Sequence, residues 1–317
     1  MFVDARTRPG RLAGPLGVLA LILGTLAACT GQSAATSAPS APTVEPSASA
    51  SESASAAPSE SASAPAALTE LAIEAKDFSF AAPASIAAGP TRIVVNNTGQ
   101  EDHQAQVAKL ADASTFEDLT AALQAEDIPA ALGMLSLVGG PTGVTPGATV
   151  ATAANLEPGQ HVFLCFVESP DGVPHLAKGM IGQLEVTGTA SDGTLPAGES
   201  ELALQDFAFV GATTLTPGQH TLTVTNKGPQ VHEATLVKLA DGVTVNDLRA
   251  AFTSTEAPSG PPPFTGAGGV AGISPNLTVT MEVDVEAGEY ALICFVPDTA
   301  SGAPHAALGM IGGLTVR

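Results

Sequence analysis

From Leu71 onward most segments of the chain read as short strands, some loosely alternating and some continuously apolar. Leu71 to Phe80 alternates loosely, and Thr91 to Asn96 and Thr221 to Thr225 are rich in β-branched residues. Turns bearing glycine, such as Ala88-Gly89-Pro90 and Pro217-Gly218, separate these runs. Gly159-Gln160 and Gly288-Glu289 introduce the apolar runs His161 to Val167 and Tyr290 to Val296, and Gly182 to Val186 and Gly312 to Val316 supply closing strands. Many short strands at this spacing predict an all-β chain of antiparallel Greek-key sandwiches. Two segments break the alternation. Ser114-Thr115-Phe116-Glu117 reads as a capping box, followed by apolar residues at Phe116, Leu119 and Leu123. A second segment opens at Thr244 with Asp247 three residues on and carries Val245, Leu248 and Phe252. Each predicts a helical insertion whose stripe packs on the sandwich.

The pattern is written twice. At one constant offset Asp77-Phe78 matches Asp206-Phe207, and Lys109-Leu110-Ala111-Asp112 matches Lys238-Leu239-Ala240-Asp241. Glu157 to Val167 matches Glu286 to Val296; one extra residue then shifts Gly179-Met180-Ile181-Gly182 against Gly309-Met310-Ile311-Gly312. The period is far longer than a solenoid unit of roughly 20–50 residues, so it predicts two tandem domains, 69–188 and 199–317, with a short linker at 189–198. The stretches Gly139 to Gly147 and Gly268 to Asn276 read as loops, and Ser259 to Phe264 is an excursion without a counterpart.

The chain has 317 residues, of which 44% are apolar. Its formal charge is -20, which would repel a phosphate backbone and argues against a nucleic-acid partner. Residues 1–28 carry Arg6, Arg8 and Arg11 before an apolar run from Leu16 to Ala28, which reads as a secretory signal peptide. Leu26-Ala27-Ala28-Cys29 resembles a bacterial lipobox, which implies cleavage before Cys29, lipidation of its thiol, and anchoring on the extracytoplasmic face of a bacterial membrane. Residues 29–68 are almost all Ser, Ala, Pro and Thr after the cysteine, a composition that builds no core and predicts a disordered tether.

The candidate chemistry repeats with the domains. Four of the six histidines pair off, His103 with His232 and His175 with His305; the remaining cysteines pair as Cys165 with Cys294, and Met180 pairs with Met310. Two imidazoles, a thiolate and a thioether are the borderline and soft donors that suit copper cycling between Cu(I) and Cu(II), so the chain is expected to hold two mononuclear copper sites. His161 and His220 do not repeat and read as structural or surface residues.

The order Asn96, Gly99, His103, Cys165, Pro174-His175, Gly179-Met180, Gly182 resembles the cupredoxins, the plastocyanin and azurin family of blue copper proteins. It recurs as Asn226, Gly228, His232, Cys294, Pro304-His305, Gly309-Met310, Gly312. The resemblance implies His103, Cys165 and His175 as equatorial ligands with Met180 axial, and His232, Cys294 and His305 with Met310 in the second copy. It further implies a type 1 electron carrier with a redox protein as partner. The sequence departs from small cupredoxins in its long loops from cysteine to histidine, nearer in length to that of copper nitrite reductases, and in Gln104 and Glu233 where Asn often follows the first histidine. Oxidase or nitrite reductase activity in this family needs a histidine beside the cysteine. The neighbours here are Leu164 and Phe166, or Ile293 and Phe295, so the expectation is that the chain is not an enzyme. Other readings of the same residues are a copper-delivery protein, a metal-free structural module, a Cys165–Cys294 disulfide, or a Cys-His nucleophile pair.

Overall fold

A computed structural model describes residues 68–317, apart from 126, 190–192, 212 and 255–259. The signal peptide, Cys29 and all but the last residue of the tether lie outside the described residues. Two layers of strand enclose the core: an eight-stranded and a ten-stranded sheet. Leu71, Ile73, Ile93 and Val95 of the first meet Val107, Phe163 and Leu184 of the second in one buried cluster. Strand alternation is direct, since Thr69–Lys76 buries Leu71, Ile73 and Ala75 while the residues between them face outward.

The sheets are mixed, which corrects the expectation of purely antiparallel pairing. Thr69–Lys76 runs parallel to Gly89–Asn97, and Ser200–Gln205 runs parallel to Gly218–Asn226. The reason is the crossover between them: Ser85–Ala87 and Thr214–Leu215 belong to the other sheet, so the chain returns to its first sheet in its original direction. The strand expected through Val167 stops at Leu164, and its counterpart stops at Ile293, which leaves each cysteine just past a strand end.

The two repeats share both sheets. Thr149–Leu156 pairs antiparallel with its own equivalent, Thr278–Val285, and the repeat-equivalent residues Thr152 and Met281 lie directly opposite each other. In the other sheet Pro141 faces its equivalent Val270, with Ala271 N–H donating to Gly140 O at 2.8 Å and Thr142 N–H to Gly269 O at 3.3 Å. Segments that match in sequence thus meet at one seam in both layers. Of the stretches expected as loops, 268–273 is strand, the end of Phe264–Ile273, whereas 140–144 makes only isolated bridges, at Pro141 and Val144. Across the seam the Arg92 guanidinium donates twice to Glu282, both at 2.7 Å.

Helix Phe116–Gln124 is capped by Thr115 with Asp118, one residue later than the sequence suggested, and Val245–Thr253 is capped by Thr244 with Asp247 as expected. Leu119 and Leu248 are the buried anchors, each in a satellite cluster on the outer face of the ten-stranded sheet. A further short helix, Ile128–Gly133, begins with Pro129 in its first turn and was not anticipated. Among the described residues no helix is long and apolar enough to cross a membrane.

Candidate metal centre

Each site is built where the chain leaves the sheets. His103 lies in the passage from the strand Gly89–Asn97 to the strand Gln106–Leu110, and its backbone exchanges two hydrogen bonds with Val144 at 3.0 and 3.1 Å. From Cys165 the chain loops out and is drawn back by four bonds. His175 N–H donates to Val167 O, Leu176 N–H to Cys165 O, Met180 N–H to His175 O and Cys165 N–H to Met180 O, at 2.8, 2.8, 2.9 and 3.3 Å. Pro174, fixed near φ -59°, starts the 3-10 turn His175–Lys178, and Gly179 ends it at φ 98°, a left-handed conformation that a Cβ would strain. The second repeat makes the same ring between Cys294, Val296, His305, Ala306 and Met310, with Pro304 and Gly309 in the same places.

The result is convergence. His103 Nδ1 and His175 Nδ1 lie 3.1 Å apart, and Cys165 Sγ lies 3.4 Å from His175 Nδ1 and 4.0 Å from His103 Nδ1. In the second repeat the Nδ1 atoms of His232 and His305 are 3.0 Å apart, with Cys294 Sγ 3.4 Å from the latter. In each set the three donor atoms all lie within 4.8 Å of one another, and all six residues are fully buried. Met180 and Met310 are buried in the same hydrophobic cluster as the cysteines. Both cysteines are free thiols, so the structure holds no disulfide between them. His161 is buried against Gly159 O, and His220 is held by Glu199 and Thr216; neither joins a cluster.

Burial shapes the electrostatics. Desolvation pushes the Cys165 thiol up to about 11 and the Cys294 thiol higher still, with the buried Glu233 carboxyl adding to the latter. The same desolvation lowers His103, His232 and His305. Without metal, then, the thiols are protonated near pH 7, and burial disfavours the charged form of those three imidazoles. In a metal-free chain carrying Cys29→Ser, neither thiol is expected to react with a water-soluble aromatic disulfide until the protein unfolds. Fast reaction under native conditions would contradict this burial.

Residues that the sequence did not single out frame the donors. The Asp77 carboxylate lies 3.2 Å from His103 Nε2 and accepts from the backbone N–H of Gln100 and Glu101. Burial alone would raise Asp77, but those bonds hold it below its ordinary value. Asp206 Oδ1 lies 2.6 Å from His232 Nε2, and Glu101 Oε2 is 2.9 Å from His175 Nε2. The asparagine that matters is Asn97, not Asn96: its amide donates to Glu101 O and Val144 O, as Asn226 donates to Gln230 O and Ile273 O. The repeat offset already aligned Asn97 with Asn226 and Asp77 with Asp206, so the signal was present. Gly99 is required because a Cβ there would fall 2.3 Å from Asp77 Oδ1 and 2.8 Å from His103 Nε2. Glu233, fully buried and raised to about 7 by desolvation, accepts from Phe295 N–H at 2.7 Å.

The donors present fit a copper ion: two Nδ1 atoms and a sulfur converge in a dry pocket, an arrangement suited to a borderline-to-soft cation. No protein-family model matches this sequence, and no match is found among curated proteins. Among solved structures, the chain is similar to reduced auracyanin from Roseiflexus castenholzii, at 23% identity over 37% of this chain and 94% of that one, with a TM-score of 0.27. It is also similar to a copper-containing nitrite reductase from Thermus scotoductus, at 16% identity over 79% of this chain and 62% of that one, TM-score 0.23. A multicopper oxidase is a third, at 12% identity over 79% of this chain and 89% of that one, TM-score 0.23. What stands is a mostly β chain with two buried His-Cys-His groups able to hold metal.

Proposed function

We propose that this chain is a cupredoxin-like blue copper protein with two tandem Greek-key domains, 69–188 and 199–317, joined by 189–198. In this reading each domain holds one copper ion and carries single electrons to or from a redox partner protein. The signal peptide 1–28 and lipidated Cys29 would place it on the extracytoplasmic face of a membrane, with 29–68 as tether. The observation that carries the reading is the doubled convergence of two imidazole nitrogens and a sulfur, all within 4.8 Å of one another, in fully buried pockets.

His103, Cys165 and His175, and His232, Cys294 and His305, would be the strong ligands, with Met180 and Met310 as weak ones. Bound copper supplies a one-electron couple. The chain's own contribution is rigidity and dryness. Each cysteine and methionine is fixed by the same closed ring of backbone bonds, and the first histidine is pinned to the seam through Val144 or Ile273. A donor set already in place needs little rearrangement when its charge changes. The residues flanking each cysteine, Leu164 and Phe166 or Ile293 and Phe295, offer no ligand to a second ion, which favours a carrier over an oxidase.

Voltammetry of the copper-loaded chain is expected to show reversible cycling with metal retained. Loss of metal on each reduction would instead favour copper delivery. Met180→Leu is expected to keep the metal and raise the potential of its site; an unchanged potential would remove Met180 from the ligand set.

A further inference from the structure

The four imidazoles are not held alike. An ionised carboxylate can only accept, so an imidazole Nε2 within hydrogen-bond reach of one carries the proton, and its Nδ1 lone pair is left free. Asp77, Glu101 and Asp206 do this for His103, His175 and His232, at 3.2, 2.9 and 2.6 Å. These three rings are preset in the tautomer that turns Nδ1 toward the cysteine. His305 is the exception: its Nε2 is buried and has no partner.

The cause lies at one repeat-equivalent position. Where the first repeat has Glu101, the second has Gln230, whose side chain is engaged elsewhere. Its amide nitrogen donates to Asp206 Oδ2 at 3.2 Å and Asp298 Oδ1 at 3.0 Å, and its oxygen accepts from Thr299 N–H at 2.8 Å. Asp298 is itself tied to Ser301. The ring contacts are matched, with Phe78 edge-on to His175 at 5.3 Å and Phe207 to His305 at 5.0 Å, while Asp102 and Lys178 of the first repeat stand where the second has Val231 and Leu308. Glu233 is a carboxyl particular to the second site, but it binds Phe295 N–H on the cysteine side.

We propose that Glu101 is a positioning residue that makes the first site the metal-retaining one, while the second, with His305 unsupported, is the one that exchanges copper. This rests on the copper reading. A carboxylate on the outer nitrogen orients the ring and raises its basicity as a ligand, and removal of such partners typically costs about 10–100-fold in metal affinity. The two sites therefore differ in function: one keeps its ion as a fixed redox centre, and the other can take up or surrender an ion to a competing thiol- or imidazole-bearing acceptor.

The test is a Cu(I) competition titration of the full chain against bicinchoninate, with Cys294→Ser isolating the first site and Cys165→Ser the second. The first site is expected to bind at least about 10-fold more tightly, and Glu101→Ala to weaken it about 10–100-fold without changing the second. Gln230→Glu is expected to tighten the second site, a gain that a merely structural role would not give. Nitrogen NMR of the metal-free chain should show His175 as the Nε2–H tautomer, lost in Glu101→Ala. Equal affinities, or a tighter second site, would overturn the division of roles, as would a Glu101→Ala chain with unchanged affinity and tautomer. Failure of either site to develop a thiolate-to-copper band on loading would instead overturn the copper reading itself.

Discussion

Cys165→Ser is expected to abolish one of two intense thiolate-to-copper absorptions and leave the other at full strength. Only a sulfur ligand gives that transition, and Cys165 is the sole thiol among the described residues within reach of His103 and His175. Cys294→Ser should do the converse. Independence follows from the geometry, because each donor set is closed within its own repeat: no hydrogen bond or ring contact links His103, Cys165 or His175 to the donors of the other. Absorption read against copper content in both variants would check it. Loss of both bands from a single substitution, with the fold intact by circular dichroism, would mean that the sites are one unit.

The second large effect is on stability and lies at the seam. Gly140 sits at φ 112°, and a Cβ there would fall 2.1 Å from the Ala105 carbonyl oxygen. Its repeat equivalent Gly269 sits at φ 133°, with a Cβ 2.3 Å from the Ala234 carbonyl oxygen. In both cases the obstacle is backbone, which cannot yield without disturbing the strand that leads from a histidine ligand. Gly140→Ala is therefore expected to cost more than about 3 kcal/mol, combining left-handed strain of about 1–3 kcal/mol with the clash. Gly147→Ala is the control: its φ of 77° is also left-handed, but nothing lies within 4 Å of the added carbon, so only the strain of roughly 1 kcal/mol is expected. Denaturant midpoints compare the two. A similar, small loss at both positions would show that the seam accommodates a side chain.

The strands, and the two His-Cys-His groups that the fold gathers, were legible because they are recorded in residue type and spacing. Alternation marked Leu71, Ile73 and Ala75 as inward, and a doubled His, Cys, His, Met order has few explanations in packing alone. What was not legible depends on long-range pairing. The glycines of 139–143 and 268–269 look like loop residues, yet they serve because two repeat-equivalent segments approach closely across the seam. Parallel pairing of each repeat's first strand likewise follows from a crossover that local pattern does not encode. The roles of Asp77, Asp206 and Glu101 require knowing that a turn after Asn97 folds back over the histidines. The repeat offset matched Asp77 with Asp206 but gave no role to either, and Glu101, which the second repeat replaces with Gln230, had no such match to mark it. The capping box shifted by one because Ser114-Thr115 offers two hydroxyls followed by Glu117-Asp118, and only the bonds decide between them.

The claim on which the rest depends is that each half gathers its two imidazoles and its sulfur around one copper ion. Titrating metal-free protein with copper while recording absorption and paramagnetic resonance tests it most directly. The account predicts two equivalents bound, an intense visible thiolate band for each, and a narrow copper hyperfine splitting. Copper bound without that band, or bound equally well after both cysteines are replaced by serine, would contradict it.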